Sequence, residues 1–387
     1  MRVAIFTDSY WPYTSGVVRS VSTTVDELVA LGHDVFVFAP WYRGVDRKNE
    51  QRIFRFLAVP SPTNPGYNIG IPFSPRLGLT LRRLGVDIVH THSPFLLGRL
   101  GAKCAHYLGL PVVFTYHTLY EAYVHYFPFI QSVTRSFTKR ICVGFCNRVD
   151  LVIVPTEIVA KHIRSMGVRT PIKRLPSGIK LEEFAGGNRR WLREQFGIGE
   201  EEDVLLYVGR VGREKNLLFL LGAYQRIASV QPRSRLVLVG GGPELSTMQK
   251  ITGEWGLKDR VIFTGPVAPA DVKHCYAGAD IFVFPSLTET QGLVVAEAKV
   301  AGLPAVAVRA FGIAEMITDG VDGFLVDLDQ EAFAERVLCL LSDPALRSRM
   351  ADNARQNALN FSAERMAREL VGCYEMLIEK KRRGRLA

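Results

Sequence analysis

The sequence predicts an α/β protein with two successive domains, each built on a doubly wound parallel sheet. The chain has 387 residues, which is more than one hydrophobic core usually serves. Short apolar runs alternate with helical segments through the first half, and the same alternation restarts after a polar stretch that ends at residue 203. Strands that alternate with helices are typical of parallel sheets covered by helices on both faces.

Six strands are predicted in the first domain, over residues 3–7, 34–39, 53–58, 87–91, 112–116 and 151–154. Each is a short run rich in apolar residues, as expected for a strand buried on both faces. Polar and aromatic residues lie at the ends of three of them, at residues 8–17, 90–94 and 116–120. Because ligands bind outside the carboxyl ends of strands in doubly wound sheets, these segments are candidate binding loops.

Six further strands are predicted in the second domain, over residues 204–208, 236–240, 261–264, 281–284, 305–308 and 323–326. A last helix, at about residues 363–380, has Met366, Leu370, Tyr374 and Leu377 at helical spacing. We therefore predict an N-terminal domain over residues 1–178, a second domain over 179–361 and a terminal segment over 362–387 that contains this helix.

One stretch of the second domain, residues 285–302, has the pattern of a phosphate site. It follows a predicted strand and continues into a helix, which begins near Gly292, Leu293 and Val294. Backbone N–H groups at the start of a helix bind anions, above all phosphates.

Two carboxylates, Glu289 and Glu297, flank this turn. Carboxylates accept hydrogen bonds from vicinal hydroxyls, so the stretch suits a ligand that carries phosphate and sugar together. The alternative is an ordinary strand–loop–helix connection with two solvated glutamates.

Basic residues and glycines mark two further strand ends in the second domain. Arg210 and Lys215 follow the first strand, and a guanidinium fork with an ammonium charge can clamp a diphosphate. Residues 240–244, Gly-Gly-Gly-Pro-Glu, follow the next strand and include Gly241. The alternatives are solvated surface cations and glycines that only permit close packing.

The positive charge of the protein is concentrated in its N-terminal half. The net charge is +10, and residues 1–180 hold 22 Lys and Arg against 10 Asp and Glu. Residues 181–387 hold 26 against 28, so the second half is slightly acidic. A one-sided basic surface indicates a polyanionic partner, either nucleic acid or an anionic membrane. The alternative is a basic domain whose charge only keeps it soluble.

Two basic segments of this half predict amphipathic helices of the kind that lie on an anionic bilayer. The stripe of the first, near residues 72–84, consists of Phe73, Leu77, Leu81 and Leu84. The stripe of the second, near residues 133–148, consists of Val133, Phe137, Ile141 and Phe145. Packing on the sheet explains the stripes equally well, and only their combination with the basic charge favours the membrane.

Composition and processing signals predict a cytoplasmic protein without a membrane span. No apolar run approaches the roughly 18 residues that a spanning helix needs. Residues 1–8 predict a strand that ends on a carboxylate, not an export signal. The six cysteines are scattered and form no Cys-x-x-Cys motif, as expected for reduced thiols.

Two groups of residues are weak candidates for a metal site. His90 and His92 alternate along a strand end and could join His117, although no third ligand has motif spacing. A satisfied core histidine is the more common explanation of His117. Asp327 and Asp329 form an Asp-x-Asp motif like that of metal-dependent sugar transferases, but they lie far from any predicted cleft. We therefore predict no metal.

Taken together, these motifs resemble family 4 of the retaining glycosyltransferases. The matching residues are Glu289-x7-Glu297, the Gly-Arg-x4-Lys run with Arg210 and Lys215, residues 240–244 and Ser15-Gly16-Val17. The resemblance covers essentially the whole chain. It implies the GT-B architecture, with two Rossmann-like domains and a final helix that crosses back to the first domain. It also implies a metal-independent reaction that needs no cofactor beyond the nucleotide-sugar donor.

The resemblance also implies a role for each matching residue. Arg210 and Lys215 hold the donor diphosphate and stabilise its charge as it leaves. Glu297 binds the ribose, Glu289 binds the transferred sugar, and His117 contacts that sugar near its reacting carbon. The remaining donor-binding residues are Gly16, Gly241, Gly292, Leu293 and Val294. Attack is expected on the same face of the sugar, with the leaving phosphate taking the acceptor's proton, so no general base is assigned.

Residues 115–126 have a narrower resemblance, to the branch that transfers glucose to diacylglycerol at the cytoplasmic face of the membrane. We therefore predict a peripheral-membrane, retaining α-glucosyltransferase that uses UDP-glucose and a lipid acceptor such as diacylglycerol. Thr290-Gln291 replaces the Phe-Gly or Tyr-Gly that is common after the first glutamate in the family. This departure leaves the recognised sugar less defined than the phosphate contacts.

Several alternative functions stay open at this point. Within the family they are mannosyl transfer from GDP-mannose to a lipid such as phosphatidylinositol and transfer to a soluble sugar acceptor. A GT-B epimerase that acts on a UDP-sugar is another. A nucleic-acid-binding protein would explain the basic half, but the aromatic residues cluster at strand ends instead of beside a basic groove.

Overall fold

The computed structural model describes residues 1–45, 50–62, 64, 66–120 and 131–386, with the backbone alone for residues 131–135, 385 and 386. Contacts divide the chain into two compact units. The first unit comprises Met1–Gly178 with Ala363–Ala387, and the second unit comprises Ile179–Ser362. Each unit has a hydrophobic core of its own.

The described residues of the first unit form nine strands. They are β1 (Arg2–Phe6), β2 (Asp34–Pro40), β3 (Ile53–Phe56), β4 (Ala58–Pro60), β5 (Asn68–Gly70), β6 (Ile88–Thr91), β7 (Val112–Thr115), β8 (Leu151–Val154) and β9 (Ile172–Arg174). Seven of them form a parallel sheet in the order β3-β2-β1-β6-β7-β8-β9. The other two, β4 and β5, pair in an antiparallel ribbon.

Helices connect these strands because the apolar period changes from strand to helix spacing between them. They are α1 (Gly16–Ala30), α2 (Leu77–Arg83), α3 (Leu96–Leu108), α4 (Gln131–Cys146) and α5 (Glu157–Ser165). The central strands are apolar on both faces, and residues Val3 to Phe6 are fully buried. Such strands need helices on both sides, which is the arrangement of a doubly wound sheet.

All six strands predicted for the first domain are present, whereas β4, β5 and β9 were not predicted. Each of these three has only three residues. Two residues of β9 are exposed cations at the edge of the sheet. Strands of this kind lack the apolar run on which the prediction depends.

The first predicted amphipathic helix is shorter than expected. Helix α2 begins at Leu77, so Phe73 lies outside it and is 76% exposed. Pro75 explains the late start, because a proline disfavours helical backbone at the residue before it. Leu77 and Leu81 are buried, as packing on the sheet requires.

The second predicted amphipathic helix, α4, buries only part of its stripe. Phe145 is buried and Ile141 is half-buried, but Phe137 is 63% exposed. The side chain of Val133 lies outside the described residues. Packing therefore accounts for the C-terminal half of this stripe and leaves Phe137 unexplained.

The second unit is a parallel sheet whose described residues form six strands. They are β10 (Asp203–Val208), β11 (Ser234–Val239), β12 (Val261–Gly265), β13 (Ile281–Phe284), β14 (Ala305–Val308) and β15 (Gly323–Val326). Its helices are α6 (Arg189–Phe196), α7 (Leu217–Val230), α8 (Leu245–Glu254), α9 (Val272–Ala277), α10 (Leu293–Val300), α11 (Gln330–Ser342) and α12 (Pro344–Ala358). All six strands predicted for this domain are present.

The strand order of the second unit, β12-β11-β10-β13-β14-β15, changes direction between β10 and β13. The chain leaves β10 towards one edge of the sheet and later returns to β13 on the other side. The loops that follow these two strands therefore diverge and leave a crevice at their carboxyl ends, where doubly wound sheets bind ligands.

The C-terminal helix α13 (Ala363–Leu386) belongs to the first unit. Its predicted stripe, Met366, Leu370, Tyr374 and Leu377, is buried in the core of that unit. No helix within the described ranges is long and apolar enough to cross a membrane. The predicted fold class, two doubly wound parallel sheets, is confirmed.

Candidate active site

The second unit brings together two predicted site residues at the switch point of its sheet. Lys215 ends a short 3-10 helix in the loop after β10, and Glu289 lies in the loop after β13. The Lys215 ammonium donates a hydrogen bond to Glu289 Oε1, and the Ser286 hydroxyl donates to the same oxygen over 3.0 Å. The two charged side chains are only 15% and 17% exposed. Partial burial strengthens their attraction, so the pair fixes both loops.

The start of helix α10 lies in the same loop as Glu289. Gly292 precedes the helix with a φ of +89°, and a Cβ atom there would lie 2.3 Å from Ile313 Cδ1. Both the left-handed backbone and the contact require glycine. No side chain among the described residues caps this helix, so the first N–H groups, at Gly292, Leu293 and Val294, are left for an anion.

Glu297 is buried one turn into α10, where it is 2% exposed. The Tyr276 hydroxyl, from α9, donates a 2.8 Å hydrogen bond to Glu297 Oε2. A carboxylate held in this way has a fixed orientation and suits hydroxyl recognition. Neither Glu289 nor Glu297 is a solvated surface residue, which argues against an ordinary strand–loop–helix connection.

The glycine-rich turn after β11 packs against the loop that carries Arg210. A Cβ on Gly240 would lie 2.0 Å from the Gly209 carbonyl oxygen, and one on Gly242 would lie 2.2 Å from that of Val211. These two glycines permit close packing of the loops. Gly241 lies between them, and a Cβ on it would lie 3.2 Å from the Pro266 ring.

Arg210 itself is half-buried, and hydrogen bonds fix the backbone around it. Its carbonyl accepts a 2.9 Å hydrogen bond from the buried hydroxyl of Tyr207. The next residue, Val211, donates its N–H to the Gly241 carbonyl over 2.9 Å. Arg210 therefore starts from a fixed backbone at the carboxyl end of β10.

The segment that departs from the family pattern is tightly packed. Gln291 is 4% exposed, and a Cβ on Gly312 would lie 2.0 Å from the Thr290 carbonyl oxygen. The neighbouring Thr288 hydroxyl is buried and has no hydrogen-bond partner within the described residues. A buried hydroxyl of this kind is a candidate contact for a ligand in the same loop.

The remaining predicted site residues, Gly16 and His117, lie in the first unit. Gly16 opens α1, and the Ser15 hydroxyl caps this helix by accepting from the Val18 N–H over 3.2 Å. A Cβ on Gly16 would meet no atom within 4 Å. Packing does not require this glycine, which leaves room for a ligand to approach.

His117 belongs to an array of three histidines at the ends of β6 and β7. His117 Nε2 lies 2.8 Å from His92 Nδ1, and the His92 ring lies 4.1 Å from that of His90. His90 is hydrogen-bonded at both ring nitrogens, to the hydroxyls of Tyr374 at 2.6 Å and Thr115 at 2.7 Å. The array lines a cleft of the first unit.

The three imidazoles are neutral near pH 7. Burial, reinforced by His117, lowers the pKa of His90 to about 3. Burial lowers the pKa of His117 to about 4, and it holds the pKa of His92 well below the usual range. A buried cation next to two more imidazoles would be costly, so the array offers hydrogen bonds and no charge.

Neither weak metal candidate has the geometry of a metal site. Both ring nitrogens of His90 are already hydrogen-bonded, so they do not converge with those of His92 and His117. Asp329 caps α11 by accepting from the N–H groups of Glu331 and Ala332. Across the described part of the chain, no group of three or more His, Cys, Asp or Glu could hold a metal ion.

Sequence reasoning missed four supporting residues, namely Tyr276, Ser286, His92 as a partner of His117, and Tyr374 as a partner of His90. Tyr276, His92 and Tyr374 act through contacts between distant segments, for which the sequence has no local signal. Ser286 lies three residues before Glu289 in the same loop, where a serine is too common to be a signal. Part of the narrower motif, residues 121–126, lies outside the described residues.

Two families match the chain, each over one of its halves. Residues 14–183 match Glycosyltransferase Family 4, and residues 188–357 match Glycosyl transferases group 1. An alpha-monoglucosyldiacylglycerol synthase of Streptococcus pneumoniae is 35% identical over 84% of this chain and 75% of its own length. A GDP-mannose-dependent alpha-mannosyltransferase of Corynebacterium glutamicum is 30% identical over 85% and 77%.

A solved structure has the same fold. The Anabaena HepE protein in complex with UDP superposes with a TM-score of 0.80 over 97% of this chain and all of that one, at 21% identity. The relatives and the two matching families together cover both units. The chain therefore belongs to the family 4 glycosyltransferases and has the GT-B fold.

Proposed function

We propose that the protein transfers glucose from UDP-glucose to the 3-hydroxyl of diacylglycerol, with retention of the α configuration. The observation that carries this proposal is the Lys215–Glu289 pair beside the uncapped start of α10. It combines a cation and helix N–H groups for phosphate with a carboxylate for sugar hydroxyls. The 35% identical relative from Streptococcus pneumoniae, a monoglucosyldiacylglycerol synthase, favours this sugar and acceptor.

The charge on the leaving group is the main chemical demand of this reaction. The bond from the anomeric carbon to the diphosphate oxygen breaks, and the acceptor oxygen bonds to the same face of that carbon. The acceptor's proton passes to the leaving phosphate oxygen, so no protein base is required. Arg210, Lys215 and the first N–H groups of α10 would stabilise the developing negative charge.

Lys215 is already neutralised before the donor arrives, because Glu289 accepts its hydrogen bond. We infer that the diphosphate joins this pair and that Glu289 then accepts from the glucose hydroxyls as well. Glu297, oriented by Tyr276, would accept from the ribose hydroxyls. We propose that Arg210 and the first N–H groups of α10 supply the remaining positive potential for the diphosphate, without a metal ion.

The first unit supplies a neutral contact. We propose that His117 donates a hydrogen bond to the transferred sugar near its reacting carbon. Its low pKa keeps the ring uncharged at physiological pH. A neutral donor can bind a sugar oxygen without attracting the diphosphate away from Lys215 and Arg210.

The β4–β5 ribbon of the first unit is proposed to contact the lipid surface. Ala58 pairs with Gly70, so Leu57 faces Ile71 on one side of the ribbon and Val59 lies on that same side. These side chains are 69%, 41% and 49% exposed, and the nearby Phe73 is 76% exposed. Exposed aliphatic and aromatic residues gathered on one face mark a binding surface.

The charge of the two units supports an anionic membrane as the partner of this face. The first unit holds 28 Lys and Arg against 14 Asp and Glu, whereas the second holds 20 against 24. Arg76, Arg82 and Arg83 are exposed on and beside α2, which follows the ribbon. Basic residues beside inserted apolar side chains bind anionic headgroups. We therefore propose that the enzyme acts at an anionic membrane surface, on the inner face of the cell membrane.

A second candidate function is mannosyl transfer from GDP-mannose to a lipid. It is favoured by the Corynebacterium glutamicum relative, which is 30% identical and GDP-mannose-dependent. The packed Thr290–Gln291 segment departs from the family pattern at the sugar side of the site, so this alternative concerns the sugar and base more than the phosphate contacts.

Donor and acceptor can be tested in one experiment. The protein is incubated with UDP-glucose or GDP-mannose and with vesicles of diacylglycerol and anionic phospholipid, and the lipid product is analysed by mass and by anomeric NMR. We expect an α-glucosyl diacylglycerol from UDP-glucose only. A mannosyl lipid formed from GDP-mannose would show that GDP-mannose, and not UDP-glucose, is the donor. A β-linked product would contradict retention. Isomers of the free UDP-sugar without a lipid product would indicate an epimerase.

The membrane surface has its own test, in which sedimentation with anionic vesicles is measured for matched leucine variants. Leu57→Ser removes an exposed apolar side chain from the ribbon, and each inserted side chain contributes about 1.5–3 kcal/mol, so binding should fall about tenfold or more. Leu328→Ser, in the second unit, is the control because that leucine is 58% exposed. Equal binding of the two variants would contradict the assignment of this face.

A further inference from the structure

We propose that His92 is a positioning residue that fixes the tautomer of His117, so that His117 carries its proton on Nδ1. The proposal concerns the histidine array itself, and its catalytic consequence rests on the proposed function. His92 is not itself a predicted donor contact, and the sequence suggests it only as a weak metal ligand.

The hydrogen bond between the two rings is the first observation. His92 Nδ1 and His117 Nε2 lie 2.8 Å apart, and the rings are nearly parallel, with an interplanar angle of 21°. Both rings are neutral, so each carries one proton on one of its two nitrogens. One nitrogen of the contact must therefore donate and the other must accept, and the choice for one ring fixes the choice for the other.

The remaining nitrogen of His92 decides between the two choices. His92 is 3% exposed, and its Nε2 is buried without a hydrogen-bond partner among the described residues. A buried N–H without an acceptor is rarer in proteins than a buried acceptor without a donor. The proton of His92 therefore belongs on Nδ1, where it is donated to His117 Nε2. His117 accepts at Nε2 and carries its own proton on Nδ1.

The position of His92 is held by the ring behind it. His90 is fixed at both ends by Tyr374 and Thr115, and its ring centroid lies 4.1 Å from that of His92. The backbone N–H of His92 also donates to the Phe6 carbonyl over 2.8 Å. The orientation of His92 Nδ1 towards His117 is thus fixed by His90, which is itself hydrogen-bonded to Tyr374 of α13.

The chemical consequence is that His117 offers an N–H donor at Nδ1 and not a lone pair. A donor there matches an oxygen acceptor, such as a hydroxyl or ring oxygen of a sugar. In the opposite tautomer the same nitrogen would carry a lone pair, which would repel the lone pairs of an ether-type oxygen. His92 would therefore act on catalysis through the ring that it orients, without touching the substrate.

The test measures tautomers directly, by ¹⁵N–¹H correlation of histidine rings in the full-length protein, with His117→Ala used to assign the His117 signal. The wild type is expected to show the proton of His117 on Nδ1. His92→Phe keeps a ring but cannot donate, so Nε2-protonated His117 should appear. His92→Asn is the matched variant, because its amide nitrogen can take the place of Nδ1 and should keep the wild-type tautomer.

Kinetics complete the test. We expect His92→Phe to lower kcat about tenfold, the factor that corresponds to one hydrogen bond of about 1.4 kcal/mol, with little change in the KM of the donor. His92→Asn should retain most of the activity. A wild-type His117 protonated on Nε2 would overturn the proposal even if no variant folds, and so would equal loss of activity in both variants with unchanged tautomers. If the wild type transfers no glucose yet shows the expected tautomers, the proposed function fails while the tautomer assignment holds.

Discussion

Both units have polar residues at the carboxyl ends of their parallel strands, but those of the second unit are charged and those of the first unit are neutral. In the second unit, Lys215 and Glu289 form an ion pair in a partly exposed loop. In the first unit, the three histidines lose their charge because they are buried next to one another. Both sets lie at the carboxyl ends of parallel strands, so the fold fixes the place and the local environment fixes the charge.

This difference matches the two chemical tasks proposed above for the two units. A diphosphate needs positive charge and N–H donors, which the second unit supplies around α10. A sugar or lipid hydroxyl needs neutral, oriented hydrogen bonds, which the histidine array of the first unit supplies. If the comparison is right, changes in the second unit should act on the donor, and changes in the first should act on acid stability and orientation.

The largest effect is expected from Lys215→Ala. Removing a cation that is proposed to stabilise a leaving diphosphate should lower kcat by about 10²–10³, as for the loss of one preorganised donor in other enzymes. Glu289 would also lose its cationic partner and keep the hydrogen bond from Ser286. Steady-state rates with UDP-glucose measure the effect, and Lys250→Ala, on the surface of α8, is the control because its side chain is 77% exposed. Similar rates for the two variants would remove Lys215 from the phosphate site.

A smaller effect is expected from Glu297→Gln. The carboxylate accepts from Tyr276 and is proposed to accept from the ribose, and an amide weakens charge-assisted hydrogen bonds. The dissociation constant of UDP, measured by calorimetry, should rise about tenfold to a hundredfold. The free energy of unfolding should fall by no more than about 2 kcal/mol. Glu331→Gln, whose side chain is 62% exposed, is the matched control. Unchanged UDP affinity in Glu297→Gln would argue against ribose binding by this residue.

Acid should destabilise the first unit through its neutral histidines. The pKa of His90 is about 3 in the folded protein and 6.5 when the chain is unfolded. The unfolded state therefore binds a proton that the folded state excludes, and stability is lost as the pH falls below about 6.5. Each pH unit should cost about 1.4 kcal/mol for this residue, or about 2 kcal/mol by pH 5.

The measurement is urea unfolding at pH 7 and pH 5 for the wild type and for His90→Gln. The variant lacks the titrating ring but shares every other group, including the buried Asp8, whose pKa is raised by burial. The wild type should lose about 2 kcal/mol more than the variant between the two pH values. An equal loss would show that His90 is not kept neutral by folding.

The smallest effect is expected from Tyr374→Phe. This substitution removes only the hydroxyl that is hydrogen-bonded to His90 Nδ1 and keeps the ring packed in the core. We expect a loss of about 1 kcal/mol in the free energy of unfolding, with unchanged UDP affinity. Phe282→Leu, in the core of the second unit, is a control for general loss of packing. A change in the UDP affinity of Tyr374→Phe would contradict the proposal that only the second unit determines donor binding.

The periodicity of the sequence predicted all twelve strands of four or more residues because each is a short run rich in apolar residues. It failed where that signal is absent, in the three-residue strands β4, β5 and β9, and where a local rule overrides it, as at Pro75 before α2. The motifs identified the loops of Arg210, Lys215 and Glu289 because in each loop glycines and charged residues directly follow a predicted strand.

The sequence by itself therefore determined the fold class, the family and the loops that carry the proposed donor site. Only the tertiary structure decided which residues support them, because Tyr276, Tyr374 and His92 reach their partners across long separations in the chain. The same holds for charge. A histidine in a sequence has an ordinary pKa, and only burial beside other imidazoles makes the array of the first unit neutral.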